Sequence, residues 1–121
     1  MPYKTEWRNR GVCWTYTGTV SGEDILKSNL DIYGDERFDD LKYQIVNLLE
    51  AEKIEVSERH MQKVAHLDAA AARTNKRVRV AVVAADKDAR LLHELYVKHL
   101  SDGGWTSKLF DSIESAEAWV K

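Results

Sequence analysis

The stretch "VRVAVVAA", residues 78–85, decides how the rest of the chain is read. Val78, Val80 and Val82 fall on one face of a strand, and Ala81 and Val83 on the other, so both faces are apolar. A strand of that kind belongs in the interior of a sheet with helices on each side, and its β-branched content favours strand over helix. The neighbouring segments supply the helices. Downstream, "DKDARLLHELYVKHL" (86–100) carries a helical stripe through Leu92, Leu95, Tyr96 and His99. "DGG" (102–104) is expected to end that helix, "WTSKLF" (105–110) to form a shorter strand, and "DSIESAEAWVK" (111–121) a last helix capped by Asp111 with Glu114 three residues on.

Upstream, residues 3–9 and 12–18 read as a hairpin around "NRG", with Gly11 free to take a positive φ. Val12, Trp14 and Tyr16 alternate with Cys13, Thr15 and Thr17 in its second strand. In "VSGEDILKSNLDIY" (20–33), Ser21 and Asp24 have the spacing of a capping box and Val20 can staple to Ile25. The predicted helix then presents Ile25, Leu26, Leu30 and Tyr33. "LKYQIVNLL" (41–49) has the character of a buried strand. The predicted order is β-β-α-β-α-β-α-β-α. It describes one α/β domain over residues 1–121 on a single mixed, mostly parallel five-stranded sheet, antiparallel only at the first hairpin.

The helix between the third and fourth of these strands raises the functional questions. In "NLLEAEKIEVSERHM" (47–61), Ser57 can be a helix cap, a regulated phosphate acceptor or part of a ligand site. With Ser57 as N-cap, Val56 and Met61 occupy the two positions of a hydrophobic staple, and Glu58 lies at the positive end of the helix dipole. The helix from Ser57 to about Arg73 places Met61, Val64, Ala65, Ala71 and Ala72 on one stripe, with Leu67 at its margin. Asp68 sits in the middle of that stripe. Either the helix end tilts into solvent there, or Asp68 is a buried polar group lining a pocket, since an unpartnered buried carboxylate is too costly.

Composition narrows the function. The chain has 121 residues, 44% hydrophobic and 31% charged, enough for one core without metal or disulfide support. With 18 basic and 20 acidic residues the net charge is -2, which offers no field for nucleic acid or an anionic membrane. The densest basic run, "RTNKRVR" (73–79), has no interleaved aromatics for base stacking and reads as a solvated loop end. The lone Cys13 leaves no internal disulfide and reads as a small packing residue, which suits a cytoplasmic setting. No signal peptide is evident, and no apolar run approaches the roughly 20 residues of a membrane span.

Catalytic signals are thin. His60 and His66, like His93 and His99, are six apart, which leaves each pair about 120° apart around a helix rather than on one face. No HExxH, GxSxG or glycine-rich phosphate loop is present, and neither metal nor cofactor is expected. Asp86 and Asp88 follow the carboxyl end of the 78–85 strand, where open α/β sheets bind ligands, although one of them is needed as a helix cap. The four tryptophans, Trp7, Trp14, Trp105 and Trp119, suit core packing, a pocket wall or a subunit contact equally.

Four stretches together resemble a family: "GDERFDDLKYQIVNLL", "VSERHMQKVAHLDAAAA", "RVRVAVVAADKDARLLHELY" and "KLFDSIESAEAWV". They are similar to the small bacterial SpoIIAA-like domains, related to the STAS fold of anti-sigma-factor antagonists. The similarity runs over roughly residues 18–121, and its most telling piece places Phe110, Ala116, Ala118 and Trp119 near the end. It implies a non-enzymatic cytoplasmic regulatory or protein-binding domain. Phosphoregulated antagonists carry an acceptor serine almost directly after the central strand. Here "EAEKIEV" intervenes before Ser57, and Asn47 stands near the strand end where many such sequences have aspartate. The same broad fold resembles the CRAL-TRIO type, which implies instead a carrier or sensor of a small hydrophobic or lipid ligand. A small acid/base hydrolase using Asp86, Asp88 or His93 is the third reading. The candidate binding residues are Ser57, Asp68, Asp86, Asp88 and Tyr96. A protein partner or self-association is expected, a small hydrophobic ligand is the alternative, and nucleic acid and membrane spanning are not expected.

Overall fold

The structure is a computed structural model that describes residues 3–100 and 105–121. The turn expected at "DGG" (102–104) lies outside the described residues. Strands β1 (Tyr3–Arg8), β2 (Gly11–Tyr16) and β3 (Gly18–Ser21) lead into helix α1 (Gly22–Tyr33) and a 3-10 helix (Glu36–Asp40). Then follow β4 (Tyr43–Asn47), β5 (Ala51–Glu55), α2 (Glu58–Ala71), β6 (Arg79–Val83), α3 (Lys87–His99), β7 (Thr106–Phe110) and α4 (Ile113–Val120).

The main sheet has the order β1-β2-β4-β6-β7. Only β1 and β2 are antiparallel; every other neighbouring pair is parallel. The strand read first from the sequence, β6, is held between β4 and β7, and its two faces feed two cores. Val78, Val80 and Val82 join the larger core with Trp14, Met61 and Leu92. Ala81 and Val83 join the smaller one with Cys13, Ile45 and Ala116 of α4. Helices α1, α2 and α3 thus cover one face and α4 the other, which is what two apolar strand faces require.

Three local readings need correction. The hairpin takes its positive φ at Arg10 (60°), not at Gly11. Gly11 is instead a matter of space: it is buried and sits opposite Tyr43 in the β2–β4 register, with the ring folded over it. A Cβ there would run into the Tyr43 ring. Gly11→Ala should therefore cost about 1–3 kcal/mol of stability by overpacking, read as a lower urea midpoint, and an unchanged midpoint would refute the contact.

On α1 the Ser21–Asp24 capping box is present in both directions, and Val20 and Ile25 are buried in the same core. Its inner face agrees with the expected one at Ile25, Leu26 and Tyr33 but not at Leu30. Leu30 is 53% exposed, while Ile32, Ser28 and Asn29 are buried. Those two polar residues tolerate burial because Ser28 Oγ and Asn29 Nδ2 each bond the Ile25 carbonyl at 2.8 Å, and Ser28 also bonds Tyr16 Oη at 2.6 Å. The last helix is capped by Ser112, which accepts from the Ser115 amide at 3.2 Å, rather than by Asp111.

An element absent from the expected order is the small parallel sheet of β3 and β5. Its second strand, "AEKIE", falls inside the "EAEKIEV" stretch that intervenes before Ser57 and carries no predicted element. Three charged residues among five hide it from propensity, and pairing with β3 creates it.

Candidate functional site

Asp68 is 2% exposed, so the reading in which the end of α2 tilts into solvent is overturned. Its carboxylate is the junction of three helices. Tyr33, the last residue of α1, donates its hydroxyl to Asp68 Oδ1, and Tyr96 of α3 donates to Oδ2 at 2.6 Å. Burial pushes the Asp68 carboxyl up to about 6 from 3.8, against the two tyrosine hydrogen bonds, which pull it down. Tyr33 and Tyr96 are both pushed well above the usual phenol range, by burial first and then by the carboxylate they face.

Beside this junction lies a pocket of about 40 Å³ between the sheet and the helices. Its polar lining comes from Asn29, Gln44, Asp68, His93 and Tyr96, and its apolar walls include Met61, Val64 and Leu92. The volume admits about two or three water molecules and is smaller than a cavity that holds one benzene ring. His93 is half-buried and within 3.1 Å of Ser107 Oγ on β7, and burial lowers its pKa.

The other candidates stand apart. Ser57 is exposed and is the N-cap of α2: its Oγ accepts from the His60 amide at 3.2 Å and lies 3.0 Å from His60 Nδ1. The capping box is closed by His60, whose Nδ1 accepts from the Ser57 amide. Next to it, Glu58 accepts from Lys98 Nζ and His99 Nε2, both at 2.8 Å, and its carboxyl is held below the usual range by these contacts. Asp86 caps α3, accepting from the Asp88 amide at 3.1 Å, and both aspartates are exposed. Among the described residues no hydrogen bond joins Ser57, the Asp86–Asp88 cap and Asp68 to one another, so of the five the structure pairs Asp68 with Tyr96 and Asp86 with Asp88, and leaves Ser57 apart.

Gln44 and Asn29 were not singled out from the sequence. A signal for Gln44 existed: it is the polar member of "YQIVN" on the face that Val46 shares, pointing at the larger core. For the four histidines, no group of three or more His, Cys, Asp or Glu is placed to hold a metal among the described residues. In the same residues, no helix is long and apolar enough to cross a membrane.

No family model and no curated protein matches the chain. Solved structures do. The anti-sigma factor antagonist SpoIIAA in its unphosphorylated form superposes with a TM-score of 0.62, covering 96% of this chain and 94% of its own at 11% identity. This chain has a SpoIIAA-like fold. An uncharacterized protein of the DUF3478 family from Shewanella loihica PV-4, itself described as SpoIIAA-like in fold, matches at a TM-score of 0.60. That match covers 98% of this chain and 92% of that protein at 13% identity. The SpoIIAA-like arrangement agrees with the mixed, mostly parallel sheet expected from the sequence.

Proposed function

We propose that the 121 residues form one non-enzymatic, cytoplasmic regulatory domain that binds another protein, or a second copy of itself, through the exposed start of α2 around Ser57 and the Asp86 loop. The observation that carries this reading is the placement of an exposed serine hydroxyl at the start of a 14-residue helix in a SpoIIAA-like fold. A phosphate on Ser57 would gain from the amide groups of the first turn and lose against Glu58, so its net effect falls on what docks there. The segment that intervenes before Ser57 contains β5, which pairs with β3 in the small sheet just ahead of the helix start.

The test is affinity capture from the native host with wild type, Ser57→Ala and Ser57→Glu. A partner held by wild type and lost with Ser57→Glu is the expected result, and identical partner sets, or none, would count against the reading. Ser57→Ala should also lower stability by about 1 kcal/mol through loss of the cap, measured by urea denaturation, with partner binding retained.

The second reading, a carrier or sensor of a small hydrophobic or lipid ligand, draws on the apolar walls of the pocket beside Asp68. Its volume is far below the several hundred Å³ of ordinary ligand sites, so an acyl chain would need α1 or α3 to part from α2. Native mass spectrometry of gently purified protein decides it, because consistent absence of added mass removes its support. The hydrolase reading lacks an assembled acid/base site: Asp86 is engaged as an exposed cap, and among the described residues no hydrogen bond joins it to the His93–Ser107 pair.

A further inference from the structure

Gln44 is 1% exposed, lines the pocket beside Asp68, and its amide nitrogen Nε2 has no hydrogen-bond partner. A buried side-chain donor left unpaired costs about 1–3 kcal/mol, and a short apolar strand can carry valine at such a position without that cost. The amide instead points to something that accepts from it.

The surroundings define that acceptor. The unmatched group is an N–H donor, so the partner must present oxygen or another acceptor atom. Asp68 stands in the same pocket, and an anion beside its carboxylate would be repelled. Apart from Asn29, His93 and Tyr96 the remaining walls are apolar, with Met61, Val64 and Leu92 among them, which favours a largely hydrocarbon remainder over a second charged end. At about 40 Å³ the space is short of an aromatic ring.

We propose that the pocket between Gln44 and Asp68 is a binding site for a small neutral molecule, an alcohol or carbonyl compound of only a few heavy atoms, whose oxygen accepts from Gln44 Nε2. Asp68 retains acceptor capacity beyond the two tyrosine hydroxyls, so a hydroxyl ligand can also donate to it. The Tyr33–Asp68–Tyr96 junction holds the three helices that cover the site and thereby sets how readily it opens. This inference is independent of the protein-contact reading, since neither Gln44 nor Asp68, the two polar groups it uses, lies at the Ser57 helix start.

The experiment is protein-observed NMR on the intact chain, titrated separately with methanol and formamide, with xenon as an apolar probe of comparable size. The expected result is a saturable shift of the Gln44 side-chain amide resonances with both oxygen-bearing probes. Their affinity should fall about tenfold in Gln44→Leu while xenon binding is kept or strengthened. Gln44→Met serves the same purpose should the leucine variant fold poorly. Shifts that grow linearly without saturation, equal affinity in wild type and variant, or a long-lived water that neither probe displaces would each overturn the proposal.

Discussion

Asp68→Ala is expected to destabilise the protein by about 2–4 kcal/mol at pH 7, because it leaves the hydroxyls of Tyr33 and Tyr96 without their acceptor in a buried setting. Relief from burying a charge offsets part of that loss, and this gives the prediction a pH signature. The carboxyl has a folded-state value of about 6 against 3.8 for the ordinary group. An acid raised on folding takes up a proton more readily in the folded state. Its contribution is therefore most favourable below about pH 4 and declines as pH rises to about 6, by roughly 3 kcal/mol for a shift of this size. The penalty for removing Asp68 should grow as pH falls from 7 to 4. Asp68→Asn, which keeps one acceptor oxygen and cannot ionise, should gain on wild type across the same interval as pH rises. Urea denaturation of the three proteins at pH 4, 5.5 and 7 measures this, and parallel stability profiles would refute the buried carboxylate.

The second large effect is expected at Asn75, which the sequence shows only as one letter in a basic run. It is 2% exposed, and its Nδ2 donates to the carbonyls of Phe38 and Leu41 at 2.9 and 2.8 Å. Its Oδ1 accepts from the Arg77 amide at 3.2 Å, and its own carbonyl takes the indole N–H of Trp105 at 2.7 Å. One side chain thus fastens the 3-10 helix to the loop that enters β6. Asn75→Ala should cost about 2–4 kcal/mol, since it strips two buried carbonyls of a donor they share. Asn75→Asp should cost about as much or more, since a carboxylate accepts and cannot donate to those carbonyls. A loss below about 1 kcal/mol in both variants would show that water or a shifted loop replaces these bonds. Lys42→Ala, an exposed neighbour of the same region, serves as the control expected to remain within about 0.5 kcal/mol of wild type.

How far the candidate site could be read in advance differs residue by residue. The cap at Ser57 was legible because a cap is a local event: a serine, the amide three residues on, and the apolar residues at 56 and 61 are all within one turn. Asp86 was legible for the same reason, although the sequence left open which of Asp86 and Asp88 would be the cap. The helical stripe of α2 also placed Asp68 correctly on the inward side. Whether that side was covered at Asp68 was a different matter, because the cover comes from Tyr33, 35 residues earlier, and Tyr96, 28 residues later. Gln44 posed the same problem in a strand: alternation gave its face, and only the helices packed on that face made it buried.

The amino-acid sequence by itself determined the two-faced strand at 79–83, the helix starts at Ser21 and Ser57, and hence a mixed sheet covered on both sides. These follow from interactions within a few residues and from the period of the apolar pattern, which any segment carries with it. Tertiary structure alone decided the pairing of β3 with β5, the exposure of Leu30, the Asn75 fastening and the convergence of Tyr33 and Tyr96 on Asp68. Each of those depends on which distant segment arrives opposite a given side chain, and that arrival fixes burial, hydrogen bonding and charge state together.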